Sequence, residues 1–320
     1  MAKFTVEARL GNGRGRAGVI ETPHGSIETP AFIPVGTKAT VKSLTPEQVR
    51  DYIGAQAVLA NTYHLYLQPG HELVQKAGGL HKFMNWQGPT FTDSGGFQAF
   101  SLGAAWGKGI SKLKKQETKT SLSLADSAQT GFGFPASQNI VGEIRDDDGM
   151  QQAAFAKVDD DGVTFKSVID GSTHRFTPES SIEIQHAIGA DIIFAFDECA
   201  SPDADYEYQK KAMERTREWA QRCVDRHVQH MSNTISDKTN LVVSALSASG
   251  ELQDSSRHTI DKQSLFGIVQ GGRFEDLRRE SARTIGAMDF DGFGIGGSFD
   301  KGDVATAVGW LLLDPQCARG

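Results

Sequence analysis

Asp93, Asp197 and Gln270 are side chains whose types and settings can do chemistry. Each ends a run of β-forming or apolar residues: Thr90-Phe91-Thr92, Ile192-Ile193-Phe194-Ala195-Phe196 and Leu265-Phe266-Gly267-Ile268-Val269. Glycine pairs stand close by, in Asp93-Ser94-Gly95-Gly96 and Gln270-Gly271-Gly272, and a further pair, Gly296-Gly297, follows Phe290–Ile295. A carboxylate, a carboxamide and accessible backbone N–H groups can together read the edge of a purine. Guanine needs an acceptor for its N1–H and exocyclic amine, and donors for its O6. Asp197 suits the first task; Gln270 and the Gly297 N–H suit the second. Phe97 offers a flat face for stacking, and Gly95 and Gly96 allow close approach of backbone to a ligand. Taken alone, Asp-Ser-Gly-Gly is equally good turn chemistry, and Asp197 or Gln270 alone would ordinarily be no more than a capped strand end.

Groups so distant in sequence converge when parallel strands carry them at their carboxyl ends, as in an α/β barrel. The pattern fits a TIM-type (β/α) barrel: buried strands end in polar or glycine residues, and helical stretches separate them. An N-terminal antiparallel sheet is expected from Lys3–Leu10, Ala17–Glu21 and Ser26–Pro34, leading into a buried strand near Phe32–Val35. Thr45-Pro46-Glu47-Gln48 reads as a helix start, and Ala57–Ala60 as a strand ending in Asn61-Thr62-Tyr63-His64. An amphipathic segment follows at 71–77. The runs Ala153–Val158, Val163–Ile169 and Thr173–Thr177, separated by Asp-Gly turns, spell an inserted β-meander. Helices are expected from Pro178 to about Ile188, over 205–229 and over 303–313. Residues 104–150 and 231–262 read as loop-like insertions in a single domain spanning 1–320. In all, six barrel strands are expected, with the last two βα units missing.

The chain has 320 residues, 38% of them hydrophobic, enough for a core. Its net charge of −7 is not the signature of a general phosphate binder. Cys199, Cys223 and Cys317 show neither paired metal spacing nor a disulfide framework, which points to a reduced, cytoplasmic setting. No apolar run has the length of a membrane span, so no membrane partner is expected.

Six ordered motifs carry a resemblance. They are Asn61-Thr62-Tyr63-His64-Leu65, Asp93-Ser94-Gly95-Gly96-Phe97-Gln98, Asp170-Gly171-Ser172, Phe196-Asp197-Glu198-Cys199, Gly267-Ile268-Val269-Gln270-Gly271-Gly272 and Gly294-Ile295-Gly296-Gly297. The chain resembles the tRNA-guanine transglycosylase, or queuine tRNA-ribosyltransferase, family over nearly all but the two insertions. The resemblance implies a glycosyltransferase that exchanges guanine at the wobble position of tRNA for a 7-deazaguanine, queuine or its precursor, in queuosine biosynthesis. It implies Asp93 as the catalytic proton manager. It also implies a base pocket of Asp93, Ser94, Gly95, Gly96, Phe97, Asp197, Gln270, Gly296 and Gly297. The implied partners are tRNA and the two bases, with a homodimer or a partner subunit as the protein–protein options.

Two family features have no match here. The family's later aspartate, which attacks the ribose C1′, has no counterpart after Gly297: Asp300, Asp303 and Asp314 lie in loop or helix surroundings. Its structural zinc site, three cysteines and a histidine, is also without its ligands, since Cys317 stands alone. No cofactor and no metal ligands are therefore expected. A non-catalytic base- or tRNA-binding subunit, or an inactive fragment, is the competing expectation.

Overall fold

The computed structural model of the protein describes residues 2–11, 15–103, 156–167, 169–246, 263–297 and 303–312. At the N-terminus, β1 (Lys3–Arg9), β2 (Arg16–Thr22) and β3 (Gly25–Thr29) form an antiparallel sheet in that order. Glycine at position 25, with φ +123°, turns β2 back into β3.

The main sheet is parallel. Its strands are β4 (Val58–Ala60), β5 (Thr90–Thr92), β9 (Ile192–Phe194), β10 (Ser264–Val269) and β11 (Gly292–Ile295). They lie in sequential order, so each strand pairs with the next strand of this sheet along the chain, the inserted meander forming a sheet of its own. A doubly wound sheet would reverse its order at a switch point; this sheet winds in one direction. The expected buried strand near Phe32–Val35 is not formed. One parallel bridge, Val35 to Leu59, stands in its place, and Phe32 and Val35 are 79% and 52% exposed. Pro30 and Pro34 lack the N–H that a sheet ladder needs, which accounts for the single bridge.

Helical elements fill the crossovers. Between β4 and β5 run α2 (Thr62–Leu67), α3 (His71–Lys76) and α4 (Leu80–Met84), after α1 (Pro46–Asp51). After β5 come α5 (Gly96–Gly103), a meander of β6 (Ala156–Asp159), β7 (Gly162–Lys166) and β8 (Thr173–Phe176), and α6 (Pro178–Ile188). Capping boxes at Thr45 and Thr177 start α1 and α6, and Gly189 in the left-handed region ends α6. The strands β9 and β10 are joined through α7 (Tyr206–Leu246), β10 and β11 through α8 (Glu275–Gly286), and α9 (Val304–Leu312) follows β11.

The helix α7 continues past the expected end at 229 as far as Leu246, into the stretch expected to be loop-like. No glycine or proline interrupts 231–246, and the Ser232 and Thr234 hydroxyls donate back to the Val228 and His230 carbonyls. Residues 247–262 and the insertion at 104–150 lie outside the described residues.

The core joins the meander to the main sheet. Phe165 and Phe176 from the meander, Phe196 beyond β9 and Trp219 from α7 are each no more than 1% exposed. Phe176 packs edge-on against both Phe165 and Phe196, at centroid distances of 5.1 and 6.3 Å. The meander thus underlies the loops at the carboxyl ends of β5 and β9.

Candidate base-binding site

Asp93 follows β5 directly and is half-buried. Its Oδ2 accepts from Asn61 Nδ2 at 2.5 Å and Gln98 Nε2 at 3.0 Å, and its Oδ1 accepts from the Thr62 N–H at 2.8 Å. Asn61 and Thr62 stand at the carboxyl end of β4, and Gln98 in the first turn of α5. Three donors on two elements therefore fix the orientation of this carboxylate. Asn61, Thr62 and Gln98 have no assigned role in the sequence reading, although polar residues at a strand's carboxyl end were the available signal.

Asp197 lies three residues beyond β9 and is also half-buried. Ser94 Oγ donates to its Oδ1 at 3.1 Å, and Gln270 Nε2 donates to its Oδ2 at 2.6 Å. Side chains from three strand ends, β5, β9 and β10, are thereby linked. The Gln270 amide has two N–H bonds and spends one on Asp197, so the other can address a ligand acceptor. Ser94 is buried; its hydroxyl accepts from the Gly96 N–H at 3.3 Å, and its carbonyl accepts from Ser181 Oγ at 2.7 Å. Its place is beneath Asp197, as a brace.

The glycines serve close packing. A Cβ on Gly96 would lie 2.8 Å from the Asp197 carbonyl oxygen, and one on Gly95, whose φ is +78°, would lie 2.9 Å from the Phe176 ring. A Cβ on Gly296 would reach 2.6 Å from Gln270 Nε2. The loop after β5 approaches the one after β9, and the loop after β11 the one after β10, only because these positions lack side chains. Gly297, with φ +108°, and Phe97 are half-buried at the same end of the sheet.

Around this centre, burial lowers the His64 imidazole below its usual range, against the opposing charge of Asp93. Glu198, next to Asp197, is 2% exposed and bonds to Arg215 Nη1 and, at 2.8 Å, to the Tyr208 hydroxyl. Burial and the Glu198 charge push that phenol up to about 12. Arg215 also pairs with Asp160 of the meander at 3.0 Å, which ties the loop after β9 to α7 and to the meander.

An apolar cleft of about 500 Å³ opens along β11, lined by Phe4, Ile20, Phe266, Phe293 and Ile295 among others. It holds none of the groups above; its polar lining side chains are Arg16, Thr29 and Asp291.

Among the described residues, His24, His81 and Asp191 bring three ligand-type atoms within 4.8 Å of one another. They lie at the amino ends of β5 and β9, opposite the site. The imidazoles stack with centroids 3.4 Å apart and each donates to a different oxygen of Asp191, so their nitrogens lie side by side. In this structure the three form a hydrogen-bonded clip, each imidazole engaged by the carboxylate. The described cysteines do not fit a three-cysteine zinc site: Cys199 and Cys223 are buried, and Cys223 Sγ is engaged by the Phe196 N–H.

A family model described as queuine tRNA-ribosyltransferase matches residues 12–130 and 137–309. Curated proteins named queuine tRNA-ribosyltransferase are similar to the chain. One from Thermoanaerobacter pseudethanolicus is 44% identical over 92% of this chain and 57% of its own length. One from Roseiflexus sp. is 46% identical over 93% of this chain and 62% of its own. The chain thus spans about 57 to 62% of the length of these relatives. With the matched regions covering most of the sequence and the motif residues Asp93, Asp197 and Gln270 gathered at adjacent strand ends, the chain belongs to the queuine tRNA-ribosyltransferase family.

Proposed function

We propose that the protein acts in tRNA-guanine exchange, removing guanine at the wobble position of tRNA and accepting a 7-deazaguanine in its place. The observation that carries this reading is the linked trio Ser94–Asp197–Gln270 beside a fixed Asp93. Asp197 accepts from the N1–H and exocyclic amine of the base. Gln270 donates its second amide N–H, and Gly297 its backbone N–H, to O6. Phe97 stacks on the ring. The leaving base must gain a proton on the nitrogen that loses the ribose, and the incoming base must lose one. Asp93 serves as donor and then acceptor, so it ends the cycle in its starting state. The sequential parallel sheet supports a TIM-type barrel as the frame, with tRNA approaching the carboxyl ends of the strands. No helix among the described residues is long and apolar enough to cross a membrane, and a cytoplasmic site of action suits this chemistry.

A second reading, a base- or tRNA-binding subunit without exchange, is favoured by one observation. Asp303, the described carboxylate that follows Gly297, pairs with Arg273 Nε at 3.1 Å just before α9, away from a strand end. Calorimetry with guanine tests what both readings share. Asp197→Ala is expected to weaken binding about tenfold or more, since each polar group left unpaired costs roughly 1–3 kcal/mol. Equal affinity in variant and wild type would remove Asp197 from the site. Labelled guanine entering tRNA separates the readings: exchange supports the first, and binding without exchange the second.

A further inference from the structure

Arg278 is 0% exposed, yet it sits near the start of α8, where a cation meets the positive end of the helix dipole. Neither burial nor position favours a guanidinium there, so its contacts must account for it. Its Nε donates to the Gly272 carbonyl at 2.9 Å and its Nη1 to the Val269 carbonyl at 3.0 Å. Those carbonyls flank Gln270 and Gly271. The Gln270 N–H donates to Ser281 Oγ, one turn along α8, at 3.0 Å. The Val269 carbonyl also accepts from the Gly296 N–H at 2.9 Å, which brings the loop after β11 into the same latch.

The turn permits no looser arrangement. Gly271 has φ +123°, and a Cβ there would lie 2.7 Å from the Arg278 amide nitrogen. Cys199, two residues beyond Asp197 and 4% exposed, lies close enough to interact electrostatically with the guanidinium. One planar cation therefore faces the loops that carry Asp197 and Gln270. A lysine could supply the charge but not a fork that spans two carbonyls.

We propose that Arg278 is a positioning residue for base recognition: it latches the Val269–Gly272 turn so that the Gln270 carboxamide stays on Asp197 and presents its second N–H to the base. This rests on the base-binding reading of Asp197 and Gln270.

The test uses the full chain with Arg278→Lys and Arg278→Gln, and Arg283→Lys on the exposed face of α8 as control. The first readout needs no base. The side-chain amide resonance of Gln270, identified by its loss in Gln270→Glu, is expected to move in both Arg278 variants and to stay in the control. The second is guanine affinity by calorimetry. Arg278→Lys is expected to weaken it about tenfold, the effect of one lost charge-assisted hydrogen bond. In a Gln270→Ala background the same change should add almost nothing, because the effect passes through Gln270. An unmoved Gln270 resonance, or an undiminished penalty in that background, overturns the proposal. Loss of folding in both Arg278 variants also overturns it, in favour of a purely structural cation. Should the wild type bind no guanine, the base-binding reading fails, while the resonance still decides the latch.

Discussion

The strand β9 has an aspartate near each end, and the two differ in what surrounds them. Asp191, at the amino end, has a side chain 1% exposed. It accepts from His24 Nδ1 at 2.7 Å, His81 Nε2 at 3.0 Å and the Thr90 N–H at 2.8 Å. Burial alone would push this carboxyl up; the hydrogen bonds and charge of the two histidines outweigh it and hold it well below the usual carboxylate range. Asp197, at the carboxyl end, is half-buried and bonded by the side chains of Ser94 and Gln270. Gln270 keeps a second amide N–H in reserve. The same residue type is thus closed in by two imidazoles and a backbone N–H at one end, and is held by a hydroxyl and a carboxamide at the other, where the proposed reading places the base. What separates them is whether their surroundings leave hydrogen-bonding capacity that a ligand can use.

The strongest way to break this comparison is Asp191→Asn. It removes the carboxylate addressed by both imidazoles and the Thr90 N–H and should cost about 3 kcal/mol, since each buried hydrogen-bonding group that loses its partner costs roughly 1–3 kcal/mol. Denaturant unfolding measures the loss, and guanine affinity should be unchanged while the variant is folded. A fall in affinity as large as that of Asp197→Ala would erase the distinction between the ends.

Asp93→Asn comes next. On the proposed reading it keeps the shape and removes the group that manages the proton, so in a full-length version of the protein it should lower guanine exchange into tRNA about a hundredfold while tRNA binding persists. Unchanged exchange would release Asp93 from the proton role.

A smaller effect is expected from acid, and at a third place. His186 on α6 meets His227 and His230 on α7, with His186 Nε2 and His227 Nδ1 2.9 Å apart. Arg226 and Glu183, themselves paired at 2.7 Å, face the same cluster. Burial, then the charge of His230, lowers His227 from its ordinary 6.5 to about 4. Burial likewise holds His186 well below its usual range. A depressed histidine binds its proton more readily in the unfolded chain, so its contribution is complete above pH 6.5 and lost as pH falls toward about 4. Asp191 acts in the same direction at lower pH, below its ordinary 3.8. Melting temperature should therefore fall between neutral pH and pH 5, and His227→Gln should flatten that fall. An equal slope in the variant would place the titration elsewhere.

The smallest expected effect sharpens the comparison. Ser94→Ala removes one of the donors to Asp197 and should cost about 0.5–1.5 kcal/mol, read as a several-fold loss of guanine affinity with Asp191 and its partners unmoved. No loss would remove Ser94 from the groups that orient Asp197.

Local chemistry made several elements legible. Thr45-Pro46 and Thr177-Pro178 start helices because proline suits the first helical position and a threonine hydroxyl caps it. Ile192–Phe194 reads as a buried parallel strand because it is apolar throughout. Polar and glycine residues after such strands marked Asp93, Asp197 and Gln270 as candidates. Phe32–Val35 and the far part of α7 were misread for a local reason as well. An apolar run outweighed the prolines in the first, and a Ser-rich composition concealed a continuous helix in the second.

Only the tertiary structure decided which groups meet. His24 and Asp191 lie 167 positions apart, and Gln270 and Asp197 lie 73 apart, yet each pair is in hydrogen-bond contact. No pattern in a window of a dozen residues encodes such pairings; strand order and the packing of glycine loops produce them. Arg278 is the clearest case. In the sequence it stands among charged residues, in Glu275-Asp276-Leu277-Arg278-Arg279-Glu280, and nothing local singles it out. In the fold it is fully buried, because the carbonyls that satisfy it belong to the turn after β10 and come within reach only once α8 packs against that strand.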